Sequence, residues 1–447
     1  VFFVFSFRSS NPSRDVLVTG VGMVSPLGCS AHETWQRLLN GEQAGRMLTG
    51  EDIDHFEQLQ KIAGLCINGA PVNHSDVQRQ LAQSLIADRI PAELFSIWRS
   101  EPLIAMSLVA FDEALQQANL QTTLPRHRTA IVFGASKGGL RTAERLAQHM
   151  SSSKTSKTTC DGPFLDDDQF GLLWNQAFST DSVTRVIAAV TGAQSSLTCP
   201  VAACATGLIA ILQGAALVHA GHCDVCIVGS ADAGLRASVL SSFHRLRVAS
   251  RHQRASDACR PFDESRDGFL IGEGAGVLIL ESREHAQRRG ADGLAQVSSG
   301  GWLSDPTGMT QIDTSGTIVA EVLKRSGCIG QQRPDVIGLH GTGTESNDLA
   351  EARGVQLATG WDSQPCFGVK GAIGHLLGAA GSVEAILSVL SLVHQITPGT
   401  TNLTLQDARC PIRLNASTVS RTPLERVSKL SLGFGGHVAC GVFDKIR

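Results

Sequence analysis

The run Ser196-Leu197-Thr198-Cys199-Pro200-Val201-Ala202-Ala203-Cys204-Ala205-Thr206-Gly207 reads as a strand that turns sharply into an apolar helix, with Cys204 at the turn. Unpaired N–H groups and the helix dipole at such a start favour a thiolate, the nucleophilic form of cysteine. The small neighbours Ala203, Ala205 and Gly207 would leave room for a thioester carbonyl to approach. The plainer role for a lone cysteine in such a run is a small buried hydrophobe. Farther on, Val336-Ile337-Gly338-Leu339 is a strand that delivers His340 into the loop Gly341-Thr342-Gly343-Thr344. Next, Phe367-Gly368-Val369-Lys370-Gly371-Ala372-Ile373-Gly374-His375 gives a strand, a glycine-flanked turn and a helix start carrying Lys370 and His375. A helix dipole would oppose a proton on His375, leaving it neutral while it donates one N–H. Two neutral imidazoles meeting one carbonyl oxygen can stabilise an enolate, the species left when a malonyl thioester loses carbon dioxide. Cysteine would supply covalent acyl storage and the histidines the carbanion equivalent.

Positioning these groups falls to β-branched runs that alternate with small-residue helices: Val16 to Gly20, Thr129 to Gly134 and Asp224 to Gly229. That alternation predicts an α/β protein with buried sheets. From Cys204 to Gly221 the chain is apolar on every face and ends at a glycine suited to a left-handed cap, which predicts a fully buried helix. The chain has 447 residues, 42% hydrophobic and 18% charged, enough for one large composite domain or two fused halves. A net charge of −3 offers no basic stripe for nucleic acid and no polybasic cluster for anionic lipid. The twelve cysteines follow no disulfide or zinc-knuckle spacing; the one Cys-x-x-Cys, Cys223 and Cys226, falls in a core-strand pattern. A reducing cytoplasm fits that usage. Residues 1–14 read as a frayed or artefactual tail, and no run matches the ~18 uninterrupted apolar residues of a membrane span. The segment from about Gln148 to Asp168 reads as an exposed excursion, its Asp166-Asp167-Asp168 a solvated face. A second chemistry-bearing half starts near Arg260, which divides the chain into 15–259 with the nucleophile and 260–447 with the histidines. No internal repeat is visible in the letters.

With these motifs in hand, the chain resembles the β-ketoacyl-acyl carrier protein synthases of the elongating, two-histidine type within the thiolase-like superfamily. The resemblance runs from about Asp15 to the C-terminus. It rests on Val18-Thr19-Gly20-Val21-Gly22 with Ser25-Pro26-Leu27-Gly28, and on Ala203-Cys204-Ala205-Thr206-Gly207. It also rests on Arg260-Pro261-Phe262-Asp263 with Arg266-Asp267-Gly268-Phe269 and Gly272-Glu273-Gly274-Ala275-Gly276, on the loop at His340, on Gly374-His375-Leu376-Leu377-Gly378-Ala379-Ala380-Gly381, and on Gly433-Phe434-Gly435-Gly436. It implies two pseudo-symmetric α/β halves in a five-layer α-β-α-β-α arrangement, paired as a homodimer. It further implies that Cys204 takes the acyl chain from an acyl carrier protein, that His340 and His375 promote decarboxylation of a malonyl thioester, and that Lys370 orients them. Glu351 would pair with Lys370 and Asp348 would be a nearby structural carboxylate. Phe434 would be a gate whose N–H joins that of Cys204 in an oxyanion hole. Thr310, Thr342 and Thr344 would hold the incoming malonyl group. No metal or organic cofactor is implied, the phosphopantetheine arm belonging to the carrier.

Departures from the family pattern bear on substrate. Lys137, in Gly134-Ala135-Ser136-Lys137-Gly138-Gly139, stands where a small or apolar residue borders the acyl pocket, so it either snorkels outward, is paired, or marks a pocket for a short or polar acyl group. The stretch from Trp174 to Gln194 lacks the usual Pro-Asn pattern. Gly308 replaces a histidine, Asn347 a glycine and Val438 an asparagine, all of which argues against long-chain elongation. Two alternatives are a non-catalytic chain-length-factor partner, which would normally lack the cysteine, and a degradative thiolase, which would need a second basic cysteine near Cys440.

Overall fold

The computed structural model describes residues 3–7, 12–53, 59, 67–121, 124–152, 171–360, 363–415, 420–421 and 423–446. The acidic excursion around Asp166 lies outside them. In chain order the strands that matter are β1 (Phe3–Ser6), β2 (Val16–Val24), β3 (Thr129–Ala135), β4 (Leu197–Thr198), β5 (Val225–Asp232), β6 (Gly274–Ser282), β7 (Ala295–Ser304), β8 (Val336–Gly338), β9 (Pro365–Phe367), β10 (Arg413–Leu414), β11 (Arg426–Gly433) and β12 (His437–Asp444). The helices used below are α1 (Pro102–Gln117), α2 (Thr206–His219), α3 (Glu345–Thr359) and α4 (Ala380–His394).

These strands run in the order β10-β9-β8-β11-β12-β7-β2-β6-β5-β3-β4, with β1 on β7. The order conceals a duplication. Numbering each half by its own chain order, β2 to β6 lie as 3-2-4-5-1, and β7, β8, β9, β11 and β12 lie as 3-2-4-5-1 again. In both halves the fifth strand is antiparallel to its neighbours while the second pairs in parallel with the third and fourth. The two sheets join only where β7 meets β2 over three pairs, Ala295↔Val18 to Val297↔Val16. Because β6 belongs to the first sheet, the division falls between Ser282 and Ala295, not at 259/260 as the motif positions suggested.

Strand parity builds the layers. On β3 and β5, Ile131, Phe133, Val225 and Ile227 face an outer core shared with α1, while Ala130, Val132, Cys226 and Val228 face inward. The inward faces of both sheets enclose α2 and α4, and a third core around Val319, Leu323 and Val355 backs the second sheet. This is the five-layer α-β-α-β-α arrangement, and because the central strands β2, β3, β5 and β6 are buried on both faces, their sequences are apolar runs and not alternations. The central helices pack backbone to backbone: a Cβ on Gly207 would lie 2.3 Å from the Ser382 nitrogen, and one on Gly381 2.5 Å from that of Leu208. Gly207, one of the small residues after Cys204, thus serves this crossing. Leu377–His394 has the length and mean hydropathy, 1.5, of a membrane-crossing helix, but 89% of it is buried in this core.

The N-terminal stretch is not a loose tail where it is described. Phe3–Ser6 pairs with Ser299 to Trp302 along the edge of β7 that β2 leaves open. Phe5 stacks on Phe7, and Phe7 is buried against His219. An apolar, aromatic segment beside an unpaired strand edge has both backbone and side-chain reasons to dock there.

Candidate active site

Cys204 sits in a 3-10 turn, Ala203–Ala205, just before α2. The preceding Ala203 has φ +48°, a left-handed conformation that a non-glycine residue holds only under constraint. Part of that constraint is the hairpin of β11 and β12: a Cβ on Gly433 would lie 2.7 Å from the Ala202 oxygen and 3.1 Å from the Cys204 nitrogen. The hairpin turn therefore lies directly on the nucleophile turn, and Phe434 follows at once.

His375 lies five residues before α4, between a four-residue turn (Lys370–Ile373) and a 3-10 turn (Leu377–Ala379), so no long helix begins at it. Its backbone is clamped to the segment after Phe269: His375 donates its N–H to the Leu270 oxygen (2.7 Å), and its oxygen accepts from Gly272 (2.9 Å). The glycine-rich run at 272–276 is thus a bracket for this histidine. The ring's Nδ1 accepts the Leu377 N–H at 3.3 Å, which leaves the proton on Nε2, 3.1 Å from Cys204 Sγ. His340 is fixed in the matching tautomer. Lys370 Nζ has three acceptors, namely His340 Nδ1 (3.2 Å), the His340 carbonyl and Glu384 Oε1. Three N–H groups meet three acceptors, so Lys370 is an ammonium, His340 Nδ1 accepts, and His340 carries its proton on Nε2.

Both histidines are pushed well below their usual 6.5, first by burial and then by the Lys370 charge, and are neutral N–H donors near neutral pH. The predicted helix dipole is not the cause. Burial also pushes the Cys204 thiol up to about 11, against the opposing pull of Lys137 and Lys370. The dipole expected to favour a thiolate is outweighed. Alkylation of Cys204 by iodoacetamide should therefore rise about tenfold per unit between pH 7 and 9; a plateau below pH 8 would contradict this environment.

Lys370 pairs with Glu384 on α4, not with Glu351. Glu351 instead accepts the backbone N–H groups of His340 and Gly341, each at 2.6 Å, and so holds the histidine loop. Asp348 accepts from Phe262 (2.7 Å) and Gly343 (3.2 Å), extending the same clamp. Asn347, the unexpected residue in this loop, donates to both carboxylates. Glu384 could have been flagged as the one carboxylate in an otherwise apolar helix.

A cavity of about 130 Å³ opens onto Cys204, His340 and His375, lined also by Thr310, Thr342, Thr344, Phe269, Phe434 and Val438. Phe434 stacks on Phe243 across its mouth, centroids 6.3 Å apart. Lys137 is not among the lining residues. It is paired with Asp232 at 3.1 Å, and Asp232 also accepts the Gly378 N–H, so Lys137 ties its loop to the turn beside His375. Gly308 is not itself a lining residue; it sits beside the exposed Met309 and against the side chain of Gln311, which lines the cavity. Cys440 is fully buried 4.0 Å from Cys328 and absent from the cavity wall, which removes the thiolase alternative's second cysteine. Cys204, His340 and His375 offer ligand atoms within 4.8 Å of one another, close enough to hold a metal ion. The Lys370 ammonium on the His340 ring opposes a cation there.

A duplicated five-layer fold with a cysteine before its central helix, facing two neutral imidazoles, defines a thiolase-like acyl-transfer enzyme. Residues 13–286 match the model of the β-ketoacyl synthase N-terminal domain, and 299–404 that of its C-terminal domain. The mitochondrial 3-oxoacyl-[acyl-carrier-protein] synthase of Arabidopsis thaliana is 32% identical over 99% of this chain and 96% of its own. The 3-oxoacyl-[acyl-carrier-protein] synthase 2 of Vibrio harveyi is 31% identical over 97% and 99%. Among solved structures, a type II polyketide synthase acyl-carrier protein in complex with its ketosynthase (AntDE:AntF) and the ishigamide ketosynthase/chain length factor each superpose with a TM-score of 0.80 at 24% identity, covering 98% and 97% of this chain and all of theirs. The chain belongs to the β-ketoacyl synthase family, condensing enzymes of the acyltransferase class.

Proposed function

We propose that this protein is a 3-oxoacyl-[acyl-carrier-protein] synthase that joins an acyl group held on Cys204 to a malonyl group delivered by an acyl carrier protein. The observation that carries this reading is the pair of Nε2–H donors beside Cys204 Sγ, both histidines neutral and fixed in tautomer. In the first half-reaction Sγ attacks the acyl thioester, the S–C bond to the carrier breaks, and the carrier thiolate leaves with the cysteine proton. In the second, the C–C bond to carbon dioxide breaks and its electron pair forms an enolate whose oxygen accepts from His340 and His375. The enolate carbon attacks the Cys204 thioester; the N–H groups of Cys204 and Phe434 receive the oxyanion, and the thiolate leaves and is reprotonated. Thr310, Thr342 and Thr344 hold the malonyl arm. The carrier brings the phosphopantetheine, and no resident metal or organic cofactor takes part.

The protein works as a homodimer in a reducing aqueous compartment, the cytoplasm. Supporting the first point, the terminal strand β4 leaves Leu197 and nearby Val201 exposed. Supporting the second, the ten cysteines among the described residues are free thiols. Lys137, tied to Asp232, affects acyl preference through the shape of its loop and its charge.

Intact-mass analysis after incubation with acyl carrier proteins of graded chain length tests the reading. A mass gain lost in Cys204→Ala is expected, and its size identifies the preferred acyl group. No gain with any donor would overturn the reading and favour a non-catalytic partner subunit.

A further inference from the structure

We propose that Lys429 is a positioning residue for His340, acting through Glu384 and Lys370, so that two buried lysines share one carboxylate behind the reacting imidazole. The inference rests on the role given to His340 above. Lys429 lies mid-strand in β11, 1% exposed, with inward-facing Val427 two residues before it and outward-facing Leu430 and Leu432 after it. Parity therefore points it toward α4. Its Nζ lies 2.9 Å from the Leu339 oxygen, 3.5 Å from that of Gly338, within hydrogen-bond reach of the Leu430 oxygen, and 2.7 Å from Glu384 Oε2. The last is an ion pair by distance whose angle falls short of a hydrogen bond. All four neighbours are acceptors, which an ammonium satisfies and an amine does not.

Three consequences follow for His340. Lys429 binds the carbonyl of Leu339, the residue before it, and so fixes where the loop leaves β8. By occupying Oε2 it keeps Oε1 of Glu384 on Lys370, whose remaining N–H groups define the His340 tautomer. It also places a second positive charge near a ring that must stay unprotonated. The titratable and charged groups facing His340 are Lys370, His375 and Cys204, Glu351 with Asp348 behind it on α3, and Glu384 on α4. Lys429 is a lysine in a fully buried strand position, where an unpaired charge would be excluded on cost alone.

The test compares wild type with Lys429→Gln, which keeps N–H donors without charge, and Lys429→Arg, which keeps the charge. Two readouts are used: the pH profile of malonyl-carrier decarboxylation, and the titration of His340 followed by NMR of protein labelled with carbon-13 histidine. The Gln variant should lose activity about half a pH unit or more above the wild-type acid limb, and the His340 titration should rise with it. The Arg variant should stay at the wild-type position, and Cys204 alkylation should stay within about twofold in both. Lys429→Ser, which admits water to the carbonyls, gives the same shift if the Gln variant does not fold. An unmoved limb and unmoved His340 titration, whatever the melting temperature does, overturns the proposal. If wild type releases no carbon dioxide from malonyl carrier, the functional reading fails instead, and the His340 titration still decides the role of Lys429.

Discussion

His340→Ala and His375→Ala should each cut malonyl-carrier decarboxylation by about a thousandfold, the cost of removing one positioned donor from a developing oxyanion. The two should differ in the other half-reaction. His375 Nε2 lies 3.1 Å from Cys204 Sγ, so His375→Ala also removes a hydrogen bond to the nucleophile and should slow its alkylation. His340 holds no such contact with Sγ among the described hydrogen bonds, and His340→Ala should leave alkylation within about twofold. Equal slowing of alkylation in both variants would show that the histidines act as one structural unit. The neutral form is the active one, and both rings are held well below 6.5, so decarboxylation should be flat from pH 8 down to about 6.5. Stability runs the same way. The unfolded chain takes up these protons at a higher pH than the folded chain, so the contribution is present above about 6.5 and is lost as pH falls below it. A decarboxylation maximum at pH 5 would contradict the geometry.

What the sequence made readable in this site is what local punctuation marks. Cys204, His340, Lys370 and His375 each sit at the end of a strand or beside a glycine turn, and backbone conformations that only a few residues tolerate leave a signature: φ is positive at Ala203, Gly341 and Gly374. The long-range partners carry no such mark. Glu351 lies on the mixed α3 and Glu384 alone among the apolar residues of α4, and spacing cannot say which one the folded chain brings to Nζ; the structure brings Glu384. Lys429 is invisible for the same reason, since its partner lies on α4. The duplicated halves are legible in strand order alone, because packing fixes topology while leaving individual apolar residues interchangeable. At the N-terminus, residues 1–14 read as a frayed or artefactual tail, and the strand at Phe3–Ser6 exists because β7 offers an open edge.

Arg266→Met should destabilise the folded chain by about 3–5 kcal/mol, read as a lower denaturant midpoint, because it strands buried charge. Arg266 is almost fully buried, 2.8 Å from Asp407 and 3.5 Å from Asp348, and it also donates to the Asp263 oxygen. Burial already pushes the Asp348 carboxyl up to about 6, against hydrogen bonds from Phe262 and the Arg266 charge. Without Arg266 it should rise further, and a raised acid contributes stability at low pH that is lost as pH rises through its folded pKa. The variant's deficit relative to wild type should therefore be smaller near pH 6 than at pH 8. Asp348→Asn placed on top of Arg266→Met removes the stranded charge and should recover part of the loss; strict additivity of the two would deny the coupling. The defect should also reach the chemistry. Asp348 holds the Gly343 N–H in the loop that carries His340 and Thr342, and once protonated it accepts that bond less strongly, so condensation in Arg266→Met should fall more steeply than the folded fraction does.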